Sequence, residues 1–373
     1  MIYLDYSANT PVDPAVLEAF CKAEQTYPGN PNSTHCAGKA AREELARVTE
    51  GIAGLLGVNP AEIIYTSGAS ESNNLALKGI AHASRHTGRH IISTPLEHAS
   101  VGGTLSALQQ QGYEVDLVDI RQDGTIDPDH LQSLLRRDTV LVSICAVDSE
   151  LGTVQPILQM AEILKDYPTC RFHVDATQAV GKTGLVLDGV DTMSIAPHKF
   201  YGLNGSGLLL KKSHVVLEPQ IYGGSGSSPY RSGTPALALA ASIEKALQLA
   251  LTNQEDRVRH VRDLNGSLRA ALLRYPNVRI NSPDSAVPHI LNLSVQGVKG
   301  TVFQKLLSEH GVCVSVKSAC STEGTPSKAV FAVSRDRKYA LSSWRISLSH
   351  LTTQDEIKEF LLIFDHCYKE LVS

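Results

Sequence analysis

Nowhere in this 373-residue chain is there an apolar run long enough to span a bilayer. No block of like charge stands out as an interaction tail, and a net charge of −4 leaves no basic excess for nucleic acid. The opening residues, MIYLDYSANTPVDP, lack the basic stretch and apolar core of a secretory signal. The cysteines are Cys21, Cys36, Cys145, Cys170, Cys313, Cys320 and Cys367. Their number is odd, they are scattered, and no C-x-x-C or Cys/His cluster occurs. That argues against a disulfide framework and a zinc site, and it fits a reducing cytoplasm. No G-x-G-x-x-G follows an early strand, which ranks a dinucleotide-binding dehydrogenase last. Internal repeats and low-complexity segments are also missing.

What is present is the composition of an ordinary enzyme, 42% hydrophobic and 19% charged. Short apolar runs read as strands at 90–94, 113–119, 139–147, 172–176, 192–196 and 207–211, with EIIYTSGA reading as a strand that ends in a turn. Helical spacing lies between several of them. In AAREELARVTEGIAGLLG, residues Leu45, Val48, Ile52 and Leu55 share one face. This alternation predicts an α/β fold with a large, mostly parallel sheet and ligands at the strand C-terminal edge. The rhythm changes near residue 252. We expect a large domain over 13–255 and a smaller α+β domain over 256–373, joined by an N-terminal arm, residues 1–12.

Four local features bear on chemistry. TSGASESNN turns a strand through Gly68 into a helix beginning with Ala69 and Ser70. Such a start offers free N–H groups and the positive end of the helix dipole to a phosphate, although serine there is more often a simple cap. HVDATQAVGK places Asp175 at a strand end, where a carboxylate is either a cap or the partner of a buried cation, and Gln178 can face the same cleft. APHKFYGLNGSG places Lys199 after an apolar strand and before glycines, whereas most lysines are solvated. TPLEHAS puts His98 just past another strand, where a structural histidine is the ordinary outcome. Each feature alone has an unremarkable explanation. Together they suit pyridoxal 5′-phosphate, which needs a phosphate anchor, an acid for its pyridine nitrogen, a lysine for its aldehyde and a planar group on its ring.

These segments also resemble a known family. IYLDYSANTPVDP, GNPNSTH, TSGASESNNLALKG, EHASV, HVDATQAVGK, HKFYG, RSGTP, HILNLS, SAC and SSWRISLSHLTTQDEI occur in order over nearly the whole length. The chain is similar to group I cysteine desulfurases of the NifS/IscS type, class V members of the fold-type I pyridoxal-phosphate-dependent transferases. The resemblance implies that Lys199 binds the cofactor covalently and moves the substrate α-proton. It gives Asp175 the pyridine nitrogen, Gln178 the phenolic oxygen and His98 the ring face and proton transfer. Ala69, Ser70 and His198 would hold the phosphate, and Thr234 would reach it from a partner subunit, so a homodimer is implied. Arg345, aided by Asn30, would clamp the carboxylate of L-cysteine. Cys320 would take the sulfur as a persulfide and pass it to an acceptor protein, leaving alanine.

The family pattern is not followed everywhere. Asp148 and Ser149 stand where two asparagines are usual, which leaves Ser149 to serve the phenolic oxygen and the substrate. Ala196 replaces a phosphate-binding serine, Lys317 a glycine, and GGSGS the usual GGGQE. Two alternatives follow. One is a divergent class V enzyme (a C–S lyase, transaminase or decarboxylase) acting on another amino acid. The other is a pyridoxal-phosphate-binding protein without catalysis.

Overall fold

The structure is a computed structural model that describes residues 1–224, 228–317 and 325–372. Its strands are β1 (Ile2–Tyr3), β2 (Ile63–Thr66), β3 (His90–Ser93), β4 (Glu114–Leu117), β5 (Thr139–Cys145), β6 (Arg171–Asp175), β7 (Thr192–Ile195), β8 (Gly207–Lys211), β9 (Val278–Ile280), β10 (Ile290–Val295), β11 (Val312–Cys313) and β12 (Ser343–Ser347). Seven of them form one sheet in the order β2-β8-β7-β6-β5-β3-β4. Within it β8 runs antiparallel to both neighbours, while β7, β6, β5, β3 and β4 pair in parallel. All residues of β5 are buried, as an unbroken apolar run requires when helices cover both faces. Chain order and spatial order part company here. β5 lies between β3 and β6, and the C-terminal ends of these strands share an edge with β7.

The helix Cys36–Leu56 buries Leu45, Val48 and Ile52 as the periodicity predicts, with Leu56 rather than Leu55 completing the face. Gly57, at φ 66°, ends it in the left-handed region where a side chain is strained. The helix expected from about Ser70 spans Ala69–Ala83, and its cap Gly68 has φ 154°, a backbone setting that is essentially glycine's alone.

A second apolar cluster gathers Leu264, Leu268, Leu291, Leu293, Phe303, Trp344, Phe360 and Phe364. Phe303 stacks on Trp344 with centroids 5.2 Å apart. Ile2 and Leu4 of the N-terminal arm belong to this cluster, because β1 pairs in parallel with β11. β9, β10 and β12 form an antiparallel sheet above it. The periodicity gives no sign of two short helices, Lys328–Ser334 and Arg337–Ser342, each capped by its own preceding residue, Ser327 and Asp336. Ala329, Val330, Ala332 and Ala340 on them pack into the cluster of the large sheet. Among the described residues no helix is long and apolar enough to cross a membrane.

Candidate active site

At the C-terminal edge of the parallel strands lies a cavity of about 350 Å³. Asp175 is the last residue of β6, and Lys199 ends the single turn Pro197–Lys199 that follows β7. His98 follows β3 as the cap of the helix Ala99–Gln110. All three line the cavity, together with Ala69, Ser70, Gln178, His198, Ser149 and Arg345. Elements far apart in sequence therefore meet there because parallel βαβ units put their strand ends on one edge.

Asp175 both caps and partners. One carboxylate oxygen accepts from Thr177 N at 2.9 Å and the other from Asn73 Nδ2 at 2.8 Å. Asn73 also donates to Ser100 Oγ, and its Oδ1 accepts from the buried His173 ring at 3.0 Å. Ser100 N donates to His98 Nδ1 at 3.1 Å. That nitrogen must keep its lone pair, so neutral His98 carries its proton on Nε2. Burial pushes the His98 pKa down, with Lys199 adding to the effect and Asp175 opposing it. Burial, then the neighbouring Lys199 and Lys182, bring His198 down to about 4. Both imidazoles are neutral at pH 7.

Lys199 Nζ donates to the carbonyls of Ser7 at 2.9 Å and Ala8 at 2.6 Å. These come from the N-terminal arm. Thr10 of the same arm donates through N and Oγ1 to His198 O, and its Oγ1 accepts from Tyr201 N. Tyr201 has φ 69°, a conformation that a bulky residue adopts only when its surroundings over-determine it. Here Thr10, and Ser349 against the Tyr201 hydroxyl, do so.

Arg345, in β12, is 2% exposed. Its Nη1 donates to Ser149 O at 2.6 Å and its Nη2 to Asp5 Oδ1 at 3.0 Å, again on the arm. Asp5 Oδ2 accepts from Ser315 Oγ. Arg345 Nε is buried and has no partner among the described residues, and the same holds for Thr177 Oγ1 and Ser7 Oγ. Asp148, next to Ser149, is raised to about 7 by burial and by Glu150.

Three groups at the site carried no clear sequence signal. Glu97, beside His98, is half-buried with its Oε2 fully buried, and burial with Asp175 nearby lifts its pKa to about 8, so it is protonated at pH 7. Its Oε1 accepts from Cys145 N and Thr94 Oγ1. Glu71 lines the cavity at the helix start, where Arg231 of RSGTP pairs with it at 2.9 Å. Lys182 Nζ donates to Gln178 Oε1. Only its place four residues after Gln178 hinted at this.

Some expected residues lie elsewhere. Asn30 is exposed, its Oδ1 accepts from Asn32 N, and it is not among the described residues that line the cavity. Thr234 is exposed; its expected role concerns a second copy of the chain. Cys320 lies outside the described residues. Lys317, just before that segment, donates to Thr325 O at 2.9 Å and to Thr325 Oγ1 at 2.7 Å, just after it.

The donor set fits pyridoxal phosphate. The first-turn amides of the helix at Ala69 have no carbonyl of their own helix to bond, and they face the same cavity as a strand-end carboxylate and a lysine. A Cβ at Gly207 would stand 2.5 Å from Gly68 Cα, so the close approach behind this cradle needs glycine.

The aminotransferase class-V family matches residues 2–360. The chain belongs to that family. Among its relatives, a "NifS/IcsS protein homolog" of Lactobacillus delbrueckii subsp. bulgaricus is 38% identical, covering 99% of this chain and 97% of that protein. "Cysteine desulfurase IscS" of Azotobacter vinelandii is 37% identical over 95% of this chain and 90% of its own length. A solved "NIFS-LIKE PROTEIN" superposes with a TM-score of 0.93 at 32% identity, covering 99% of this chain and 100% of that one. The class V fold, with its large and mostly parallel sheet, is thus the one expected.

Proposed function

We infer that this chain is a pyridoxal-phosphate-dependent cysteine desulfurase. The observation that carries the reading is one cavity lined by Lys199, Asp175, His98, Arg345 and a helix start, in a chain of the NifS-like class V type. When bound, the cofactor supplies an electron sink for negative charge at the substrate α-carbon. Ala69, Ser70 and His198 would hold its phosphate, Asp175 its pyridine nitrogen, Gln178 and Ser149 its phenolic oxygen, and Lys199 its aldehyde carbon. Losing one neutral hydrogen bond where Ala196 replaces serine costs about 1 kcal/mol, too little to undo a cradle that also has the helix amides.

The chain's own groups do the rest. Arg345 orients the substrate carboxylate. Lys199 Nζ takes the α-proton, and His98, protonated on Nε2, serves a later transfer. The Cys320 thiolate attacks the substrate sulfur. A sulfur–sulfur bond forms, the carbon–sulfur bond breaks, and its electron pair stays with the carbon skeleton, which gains a proton. L-cysteine and the Cys320 thiol thus give L-alanine and a Cys320 persulfide. The sulfur is oxidised as the β-carbon is reduced, so no outside oxidant is needed. The persulfide then passes to an acceptor protein.

The same reading includes a homodimer, in which an exposed Thr234 has a neighbour's phosphate to reach. It divides the chain near 255/256, with arm 1–12 joined to the C-terminal part, as the clustering of Ile2 and Leu4 with Leu291 supports. It places the protein in the cytoplasm, consistent with free thiols at all the described cysteines.

Incubation with L-cysteine and a reducing thiol is expected to yield alanine and sulfide in equal amounts. Cofactor-loaded protein that releases no alanine overturns the reading. The presence of Ser149 on the cavity wall favours one rival, a class V enzyme for another amino acid. Amino acids tested singly, with keto acid also measured, separate the two.

Arg345→Lys keeps the charge and loses the fork. We expect KM for L-cysteine to rise about 10- to 100-fold, the worth of a charge-assisted bidentate contact, with the absorption of the bound cofactor unchanged. An unchanged KM removes Arg345 from the substrate site.

A further inference from the structure

Lys182 is a half-buried lysine that the reaction above does not use. It follows Gly181 in the turn after β6 and lines a small cavity, about 20 Å³, whose wall includes Lys199. His289, Tyr201, Arg257 and His350 also line that second space. Lys182 Nζ donates to Gln178 Oε1, and Gln178 Nε2 donates to Ser7 O at 2.9 Å. Lys199 donates to the same Ser7 carbonyl.

These partners leave the Gln178 amide one orientation. An ammonium or amine hydrogen needs the carbonyl end, and the Ser7 carbonyl needs the NH₂ end. The second amide hydrogen then remains for the cavity that Gln178 lines. We propose that Lys182 is a positioning residue that locks Gln178 with its NH₂ group, not its oxygen, toward the phenolic oxygen of the cofactor. The inference rests on the cofactor reading above. Without Lys182 only the Ser7 carbonyl still holds the amide, and an amide that turns over presents an acceptor to an oxyanion. The groups that face Lys182 from the surrounding elements are Lys199, His198, His289 and Arg345. Burial, with Lys199 and Arg345 adding to it, brings Lys182 down to about 7, so a neutral amine donor is accessible near physiological pH.

The readout is the pH midpoint of the absorption band of protein loaded with pyridoxal phosphate. A hydrogen bond donated to the phenolic oxygen favours its anionic form and lowers this midpoint. Lys182→Met is expected to raise it by about one unit, the size of one charge-assisted hydrogen bond. Lys182→Gln, which keeps an N–H donor without the cation, is expected to stay near the wild-type midpoint. In a Gln178→Ala background Lys182→Met should add nothing, because its partner is gone. An equal shift in both backgrounds, or a full shift in Lys182→Gln, makes the effect that of charge alone and overturns the proposal. Should Lys182→Met not fold, Gln178→Ala alone must show the one-unit rise, and an unmoved midpoint overturns the proposal. A native protein that develops no cofactor band overturns the cofactor reading itself, and this inference with it.

Discussion

Lys199→Ala is expected to lower alanine formation from L-cysteine by at least about 10²- to 10⁴-fold, the range for losing a positioned acid–base group. Loss of the covalent tether to the cofactor adds to this. The geometry leaves no substitute. Lys182 is nearby, but its amine is engaged by Gln178. His98 Nδ1 accepts from Ser100 N and its Nε2 already carries the proton, so neither ring nitrogen is open to take another, and neither this imidazole nor that of His198 can condense with an aldehyde as a primary amine does. Lys199 alone is drawn across the turn after β7 onto the Ser7 and Ala8 carbonyls, at the mouth shared with Asp175. Lys199→Arg is expected to rescue nothing, since a guanidinium neither condenses with an aldehyde nor gives up its proton. The test is alanine release per cofactor bound, in the presence and absence of a small primary amine. Retained turnover in Lys199→Ala would falsify the assignment.

Cys320→Ser is expected to abolish persulfide formation and to drop alanine release to background, while the cofactor band stays at its native position. A hydroxyl is too weak an acid and too poor a nucleophile to take sulfur from the substrate. The only other thiol on the cavity is not an equivalent candidate among the described residues. Cys145 is pushed well above the ordinary thiol range by burial and by Glu97, Asp148 and Asp175, so it stays protonated. Cys145→Ala therefore serves as the control and should keep its persulfide. Trapping the protein-bound sulfur with an alkylating reagent, followed by peptide mass analysis, decides between the two. A persulfide on Cys145, or full alanine release without Cys320, removes Cys320 from the mechanism.

Much of the architecture was written in local pattern. Unbroken apolar runs such as TVLVSIC and GLLLK marked strands buried on both faces, and β5 and β8 occupy those residues with every side chain buried. The strand-end positions of Asp175, Lys199 and His98 followed from where those runs stop, and parallel winding then carried them to one edge. Short elements escaped because one or two turns carry no usable period. The helix Lys328–Ser334 is an example, and so is β11, which exists only because β1 pairs with it.

The sequence by itself determined which side chains the proposed chemistry calls on, because lysine, aspartate and histidine at strand ends announce themselves by type and place. Tertiary structure alone decided what holds them. Lys199 is steadied by two backbone carbonyls of the arm, and a carbonyl has no letter in a sequence. Arg345 is paired with Asp5 across 340 residues, a separation that no local pattern can encode. Lys182 reads as one more surface lysine until the packing of arm, turn and strand half-buries it and turns its amine onto Gln178.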